Sequence, residues 1–144
     1  MDSVIFKIIN HGTPEYQATV ALREDILRKP LGLTFLSEEL ETEKGHIQIA
    51  GFRGEEVVAT AVLVSEGQTC KMQRVVVKAD IQDQGIGSQM MAFCEEEAKA
   101  RGFQSIYCHA RNTAVSFYLK NNYISEGDYF EEDTIPHLKM RKKL

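Results

Sequence analysis

The chain reads as an α/β protein of the α+β kind: a mixed, mostly antiparallel sheet of six to seven strands flanked by helices. Three observations predict this. Apolar, β-branched segments follow one another across short turns between positions 47 and 78, the pattern of an antiparallel meander. A periodic helical segment, Ile86 to Arg101, separates the last of them from a further strand, which makes those two strands parallel. Between strand and helix, Val75-Val76-Val77 runs into the glycine-spaced loop Gln82-Asp83-Gln84-Gly85-Ile86-Gly87-Ser88.

Taken in order, Val4 to Ile9 is a first strand. Thr13-Pro14-Glu15 then starts a helix, with Thr13 as N-cap and Pro14 at the first helical position. Val20, Leu22, Ile26 and Leu27 fit a helical stripe that ends before Pro30. Ser37 to Leu40 is either a short helix or a loop. The meander strands are Ile47 to Phe52, Val57 to Val64 and Cys70 to Lys78, with turns at Arg53-Gly54-Glu55 and Ser65 to Gln68. The helix from Ile86 carries Glu95/Lys99 and Glu97/Arg101 as i,i+4 pairs, and Gly102 is a natural residue just past its end. The run Glu95-Glu96-Glu97 reads as a solvated face. Phe103 to Cys108 is a buried strand, Asn112 to Lys120 a short helix, and Tyr123 to Phe130 and His137 to Arg141 the last strands.

The 144 residues fit one domain, 1–144, and 43% apolar residues with a net charge of −4 suit a chain with a real core rather than a disordered one. The acidic balance argues against sequence-independent nucleic-acid binding. The one basic cluster, Lys139, Arg141, Lys142 and Lys143, reads as a solvated chain end. Three cysteines without CxxC spacing give neither a disulfide framework nor a zinc site, and a reducing, cytoplasmic compartment is expected. His11, His46, His109 and His137 show no ligand spacing, so no metal is expected. No signal-peptide pattern precedes the first strand, and no apolar run approaches the ~20 residues that span a bilayer, so no membrane partner is expected.

Gly85-Ile86-Gly87 at a helix start is chemically suggestive. Unpaired amides and the positive end of the helix dipole favour a phosphate or pyrophosphate there. Two familiar phosphate loops are excluded. A P-loop needs Gly-Lys-Ser/Thr, whereas Ser88-Gln89 follows Gly87; a dinucleotide fingerprint needs a small third residue where Met90 stands. By itself the motif is equally a structural turn.

The combination is more specific. Val75-Val76-Val77, Gln82-x-x-Gly85-x-Gly87 and the following helix resemble motif A of the GNAT superfamily of acetyl-CoA-dependent N-acetyltransferases. The stretch His109 to Tyr123, with Asn112, Phe117-Tyr118 and Asn122-Tyr123, resembles motif B of the same family. Asn122 stands where the family usually has glycine, and Gln82 where arginine is commoner; Asn tolerates the left-handed conformation glycine provides. Leu22 to Gly32 and Ile135 to Arg141 are similar to the first helix and last strand of some members.

The resemblance implies a parallel pair of central strands that splay apart into a V-shaped gap. It implies acetyl-CoA as co-substrate, its pyrophosphate held by Gln82, Asp83, Gln84, Gly85, Ile86, Gly87 and Ser88. The pantetheine arm would run along the backbone of Val75, Val76 and Val77, with Asn112 contacting or orienting it. The implied reaction is direct attack of a primary amine, on a small molecule or peptide, through a tetrahedral intermediate. A backbone N–H near Val75–Val77 would stabilise the oxyanion, and Tyr118 would be the acid for the leaving thiolate. The proton acceptor for the amine stays open among Glu38, Glu39, Glu41, Glu43, Glu56, His109 and water. The acidic stretches Glu38–Glu43 and Asp128–Asp133 either favour a cationic acceptor or merely solvate two loops. Monomer and homodimer both remain open. Two other readings stand beside the enzyme: a non-catalytic acyl-CoA-binding or sensing module on the same fold, and an unrelated nucleotide-binding domain.

Overall fold

In the computed structural model, which describes residues 3–82 and 84–144, seven strands form one sheet in the order β1-β2-β3-β4-β5-β7-β6. The strands are β1 (Ile5–Ile9), β2 (Ile47–Arg53), β3 (Glu56–Glu66), β4 (Thr69–Val77), β5 (Ser105–Arg111), β6 (Ile124–Glu132) and β7 (Ile135–Lys143). All neighbours are antiparallel except β4 and β5, which are parallel. The mixed seven-stranded sheet anticipated from the meander and the crossover helix is therefore present.

Helix α1 (Pro14–Arg23) begins as the sequence predicts: Thr13 is extended and its Oγ1 accepts from the Tyr16 amide at 3.2 Å. It does not stay α-helical to Pro30. Glu24–Arg28 widens into a π turn, a 3-10 turn follows, and Gly32 at φ 73° ends the segment. Five residues apart in an α-helix would place Arg23 and Arg28 roughly 140° apart. The wider winding brings them towards one face, and both guanidinium groups lie near the Phe35 ring. Helix α2 (Ser37–Glu41) is short.

Helix α3 (Ile86–Ala100) buries Ile86, Met90, Met91, Cys94 and Ala98 against the sheet. Each large apolar side chain buried there contributes about 2 kcal/mol. The helix ends on Gly102 at φ 89°, with the Phe103 amide bonded to the Ala98 carbonyl and the Gly102 amide to that of Lys99. Helix α4 (Val115–Lys120), preceded by a 3-10 turn over Asn112–Ala114, ends the same way on Asn122, whose φ of 70° is the left-handed value expected of it.

Two surface readings of the sequence need correction. Glu95 is not part of a solvated face: it is half-buried, accepts from the Tyr123 hydroxyl at 3.0 Å and from Lys142 Nζ at 2.8 Å, and so ties α3 to β7. The basic cluster is no chain end in solvent either. Lys139, Arg141 and Lys142 lie in β7, where Glu126 and Glu95 pair with them.

Candidate active site

Two irregularities in the sheet build the site. The first is the separation of β4 and β5. Their ladder covers only Thr69–Lys71 and Ser105–Tyr107, yet β4 continues to Val77 and β5 to Arg111, so beyond those residues the strands part. The second is a bulge in β4. Thr60 pairs with Val76 and Val62 with Gln73, so one residue of β3, Ala61, opposes two of β4, Arg74 and Val75, and Arg74 takes φ 54°. The bulge resets the alternation. Cys70 and Met72 are buried in the core beneath α3, and after the extra residue Val75 and Val77 pack against that same core. Arg74 is thereby directed to the opposite face, where it meets Phe35, Glu39 and Glu43. Arg74 and Val75 have no register partner on β3, and β5 has already diverged.

The gap opens into a cleft of about 190 Å³ with Met72 to Val75 on one side and Cys108 to Arg111 on the other. On β5 the even-numbered Cys108 and Ala110 are buried in the α3-side core, while His109 and Arg111 alternate with them and are half-buried. The two faces of the cleft therefore carry different chemistry.

Tyr118 lies on the α3 face. Its ring packs edge-on against Phe117 and Tyr123, at centroid distances of 5.2 and 5.4 Å, and it lines the cleft beside Cys108. Burial, then the Cys108 thiol beside it, holds the phenol well above its ordinary pKa. Burial likewise pushes the Cys108 thiol up to about 12, so it is no nucleophile at neutral pH.

His109 lies on the other face. Its Nδ1 is 3.5 Å from Glu132 Oε2 and has no hydrogen-bond partner, and the same carboxylate lies 3.8 Å from His137 Nε2. Burial, then the positive charge of Lys71, lowers the His109 pKa, and Glu132 opposes them. The ring is therefore neutral at pH 7. Glu132 reaches this position because β6 and β7 join through Asp133 and Thr134, both at positive φ, in a two-residue hairpin.

The loop after β4 leads to the N-terminus of α3. Gly85, the N-cap, takes φ 79° and has no side chain with which to cap the first turn, and among the described residues no side chain bonds its leading amides, which suit an outside acceptor. A Cβ at Gly85 would meet open space. At Gly87 it would sit 3.1 Å from the Phe117 ring, so that glycine serves the packing of α3 on α4.

The family model described as "Acetyltransferase (GNAT) domain" matches residues 23–144. The chain belongs to the GNAT acetyltransferases. Its sequence is 32% identical over 78 residues to YyaT of Bacillus subtilis, a protein described as uncharacterized; the matched region spans 54% of this chain and about half, 53%, of that one. An acyl-CoA N-acyltransferase from Pseudomonas aeruginosa superposes with a TM-score of 0.82 at 19% identity, covering 97% of this chain and 99% of that one. A GNAT family acetyltransferase from Elizabethkingia anophelis with acetyl-CoA bound superposes with a TM-score of 0.76 at 15% identity over 100% of both chains. These two likenesses concern the fold.

Within this GNAT domain, the residues singled out from sequence fall in three places. Val75, Val76 and Val77 form the β4 side of the gap, with Val76 buried away from α3's core cluster. Gln84, Gly85, Ile86, Gly87 and Ser88 make the turn into α3, and Asp83 lies outside the described residues. Gln82 is exposed, but its Nε2 donates to the Val77 carbonyl at 2.9 Å, so it braces the loop rather than pointing freely outward. Asn112 is exposed in the turn that follows β5.

The acidic stretch Glu38–Glu43 offers no free carboxylate cluster to a cationic acceptor. Glu39 is bidentate with Arg28, which holds its pKa below the ordinary value, and Glu43 is buried on Arg23 and Tyr16. Glu41 pairs with Lys44. Sequence reasoning missed Arg28, Arg74 and Arg111, all of which line the cleft. A signal for Arg74 was present: the apolar positions of β4 change from even, Cys70 and Met72, to odd, Val75 and Val77, which marks an inserted residue between them.

Proposed function

We propose that this GNAT domain is an N-acetyltransferase that moves an acetyl group from acetyl-CoA to a primary amine, with the two faces of the split sheet handling opposite proton transfers. One observation carries the reading: the gap between β4 and β5 has the protonated Tyr118 on the α3 face and the neutral His109 with Glu132 on the other. Acetyl-CoA would supply the activated acyl group as a thioester. The main-chain amides from Gln84 to Ser88, at the N-terminus of α3, suit its diphosphate, and Gly85 provides the turn that aims them. Val75, Val76 and Val77 lie beyond the point where β5 parts from β4, so the main chain on that side of them can pair with the pantetheine amides, as a peptide pairs with a strand edge. Asn112 borders that arm, and Gln82 holds the loop in register.

Tyr118 then donates to the departing thiolate, and a main-chain amide at the β4 bulge stabilises the developing oxyanion. On the acceptor side, His109 takes the ammonium proton and Glu132 stabilises the imidazolium that results. The test is release of free thiol from acetyl-CoA in the presence of a panel of primary amines. Amine-dependent release supports the enzyme. Saturable acetyl-CoA binding with no release for any amine would make the domain a sensing module, and tighter protection by ATP or NAD would replace both readings.

The acid limb of the pH profile tests the acceptor side. His109 works only when neutral, and its pKa is displaced downward from 6.5, so the acid limb of kcat/KM should have its midpoint below pH 6.5. His109→Gln should lower the plateau about 10²-fold and remove that limb; a limb that survives assigns the proton transfer elsewhere.

Gly85 and Gly87 separate cradle from packing. Gly85→Val forces a β-branched residue into a left-handed conformation at the mouth of the cradle and should raise the acetyl-CoA Kd about tenfold. Gly87→Leu should instead lower stability by about 1–3 kcal/mol, through Phe117, in urea denaturation.

A further inference from the structure

The acceptor side of the cleft carries more positive charge than its own carboxylates neutralise. Around the Phe35 ring stand three guanidinium carbons: Arg28 at 4.2 Å, Arg74 at 5.0 Å and Arg23 at 5.9 Å from the centroid. Two carboxylates serve them. Glu43 is bonded to Arg23 at 2.8 and 3.1 Å, and Glu39 to Arg28 at 2.9 and 3.2 Å. Arg74 receives only what is left, contacts at 3.6 Å to Glu39 and to Glu43, both beyond hydrogen-bond length. Its buried Nε has no hydrogen-bond partner. Burial and the neighbouring Arg28 depress its pKa, the expected sign of a cation short of counter-charge.

Arg111 adds to this. It extends from the end of β5 across to the segment after α1, where its Nη2 donates to the Leu27 carbonyl at 3.0 Å. Among the described residues neither Arg111 nor Lys71 forms an ion pair, and both line the cleft with Arg28 and Arg74. The negative groups of the lining, Glu132 and Asp133, come from the β6–β7 turn beside His109 and His137. The cleft is thus divided into an arginine wall and a carboxylate–histidine wall.

The coenzyme's diphosphate does not meet this demand. Its cradle opens from α3, and Val75 and Val77 pack on the α3 side of β4 while Arg74 is turned to the other face. A half-buried guanidinium with unmet donors calls for a planar or tetrahedral oxyanion.

We propose that the acceptor amine of this acetyltransferase carries an acidic group, a carboxylate or phosphate, which docks on Arg74 and Arg111 while its amine faces His109 and Glu132. The inference rests on the acetyltransferase reading for its acceptor, but the anion site itself stands or falls separately. It reverses the expectation of a cationic acceptor, because Glu39 and Glu43, the carboxylates of the Glu38–Glu43 stretch that lie near Arg74, are already committed to arginines.

Two measurements on the full chain test it. In the first, matched amines are compared with acetyl-CoA as donor: β-alanine with β-alaninamide, and O-phosphoethanolamine with ethanolamine. The acidic member of a pair should show kcat/KM about tenfold or more above the neutral one. Which pair shows the larger ratio distinguishes carboxylate from phosphate. Arg111→Gln should collapse the ratio towards one, and so should Arg74→Asn, chosen because asparagine accepts the positive φ. Neutral members used equally well or better overturn the proposal. In the second, the arginine Nε–Hε resonances of labelled protein are followed during titration with inorganic phosphate and with acetate. A saturable shift at Arg74, weakened by Arg111→Gln, is expected; no saturable shift overturns the anion site. If no amine is acetylated but the shift appears, the anion site stands and the acetyltransferase reading falls.

Discussion

Tyr118→Phe should lower kcat about 10²-fold while leaving the Kd for acetyl-CoA nearly unchanged. The phenol is a protonated acid on the α3 side of the gap, beside the protonated Cys108 thiol, where the coenzyme's sulfur would emerge. Its raised pKa keeps it protonated throughout the neutral and mildly alkaline range, so it can donate to a thiolate without first having to be protonated itself. Phenylalanine preserves the edge-on packing with Phe117 and Tyr123, and thus the floor of the cleft. Stability should therefore change by no more than about 1 kcal/mol. The informative comparison is kcat against Kd in the same preparation. Unchanged turnover removes Tyr118 from the acid role. A parallel loss of coenzyme affinity would mean that the ring shapes the pocket and the hydroxyl does no chemistry. His109→Gln supplies a control, since it should act through the acid limb of the pH profile, which Tyr118→Phe leaves in place.

What the sequence made legible follows from how local each signal is. The Thr13-Pro14 helix start, the Gly102 and Asn122 helix ends and the Gly85 turn each depend on one or two residues and their own backbone angles, and all appear as read. The splay of β4 from β5 was implied only through the family resemblance, because nothing in either strand alone says where a ladder stops. Strand limits shifted for the same reason: β5 runs Ser105–Arg111 rather than Phe103–Cys108, since its register is set by β7 across the whole length. Side-chain pairing was the least legible. Glu95 looked like a partner for Lys99 four residues on, but Lys142, distant in sequence and partly shielded from water, holds it instead. Glu39 and Glu43 looked like a free acidic patch because their arginines lie on α1, the π turn and β4. Arg74 carried its meaning only through the bulge, a two-strand property visible in sequence as a change of parity.

Glu43→Leu should destabilise the fold by about 3–5 kcal/mol, the largest single stability effect we expect. Glu43 and Arg23 are 1% and 0% exposed, and they bond at 2.8 Å. Tyr16 donates to the same carboxylate at 2.9 Å, and the Glu43 carbonyl accepts from Gln48 Nε2, whose Oε1 accepts from Arg23. The network ties α1 and the turn before β2 to the sheet. Burial and the Glu43 bond already push the Tyr16 phenol up to about 12, which shows how closely the three groups interact. Leucine at position 43 would leave the Arg23 guanidinium enclosed without its counter-charge, and an isolated buried cation costs far more than the pair contributes. The double variant Arg23→Met with Glu43→Leu removes both charges and should recover most of the loss. Urea denaturation of the two single variants, the double variant and the parent closes the cycle, and the coupling should be at least about 2 kcal/mol. If the double variant is as unstable as Glu43→Leu alone, the cost lies in packing and not in the stranded charge. The same variants reach the cleft, because Glu43 is, among the described residues, one of the two carboxylates that pair with Arg74. Removing it should increase the positive charge facing the acceptor, so any folded Glu43→Leu protein should hold phosphate more tightly than the parent.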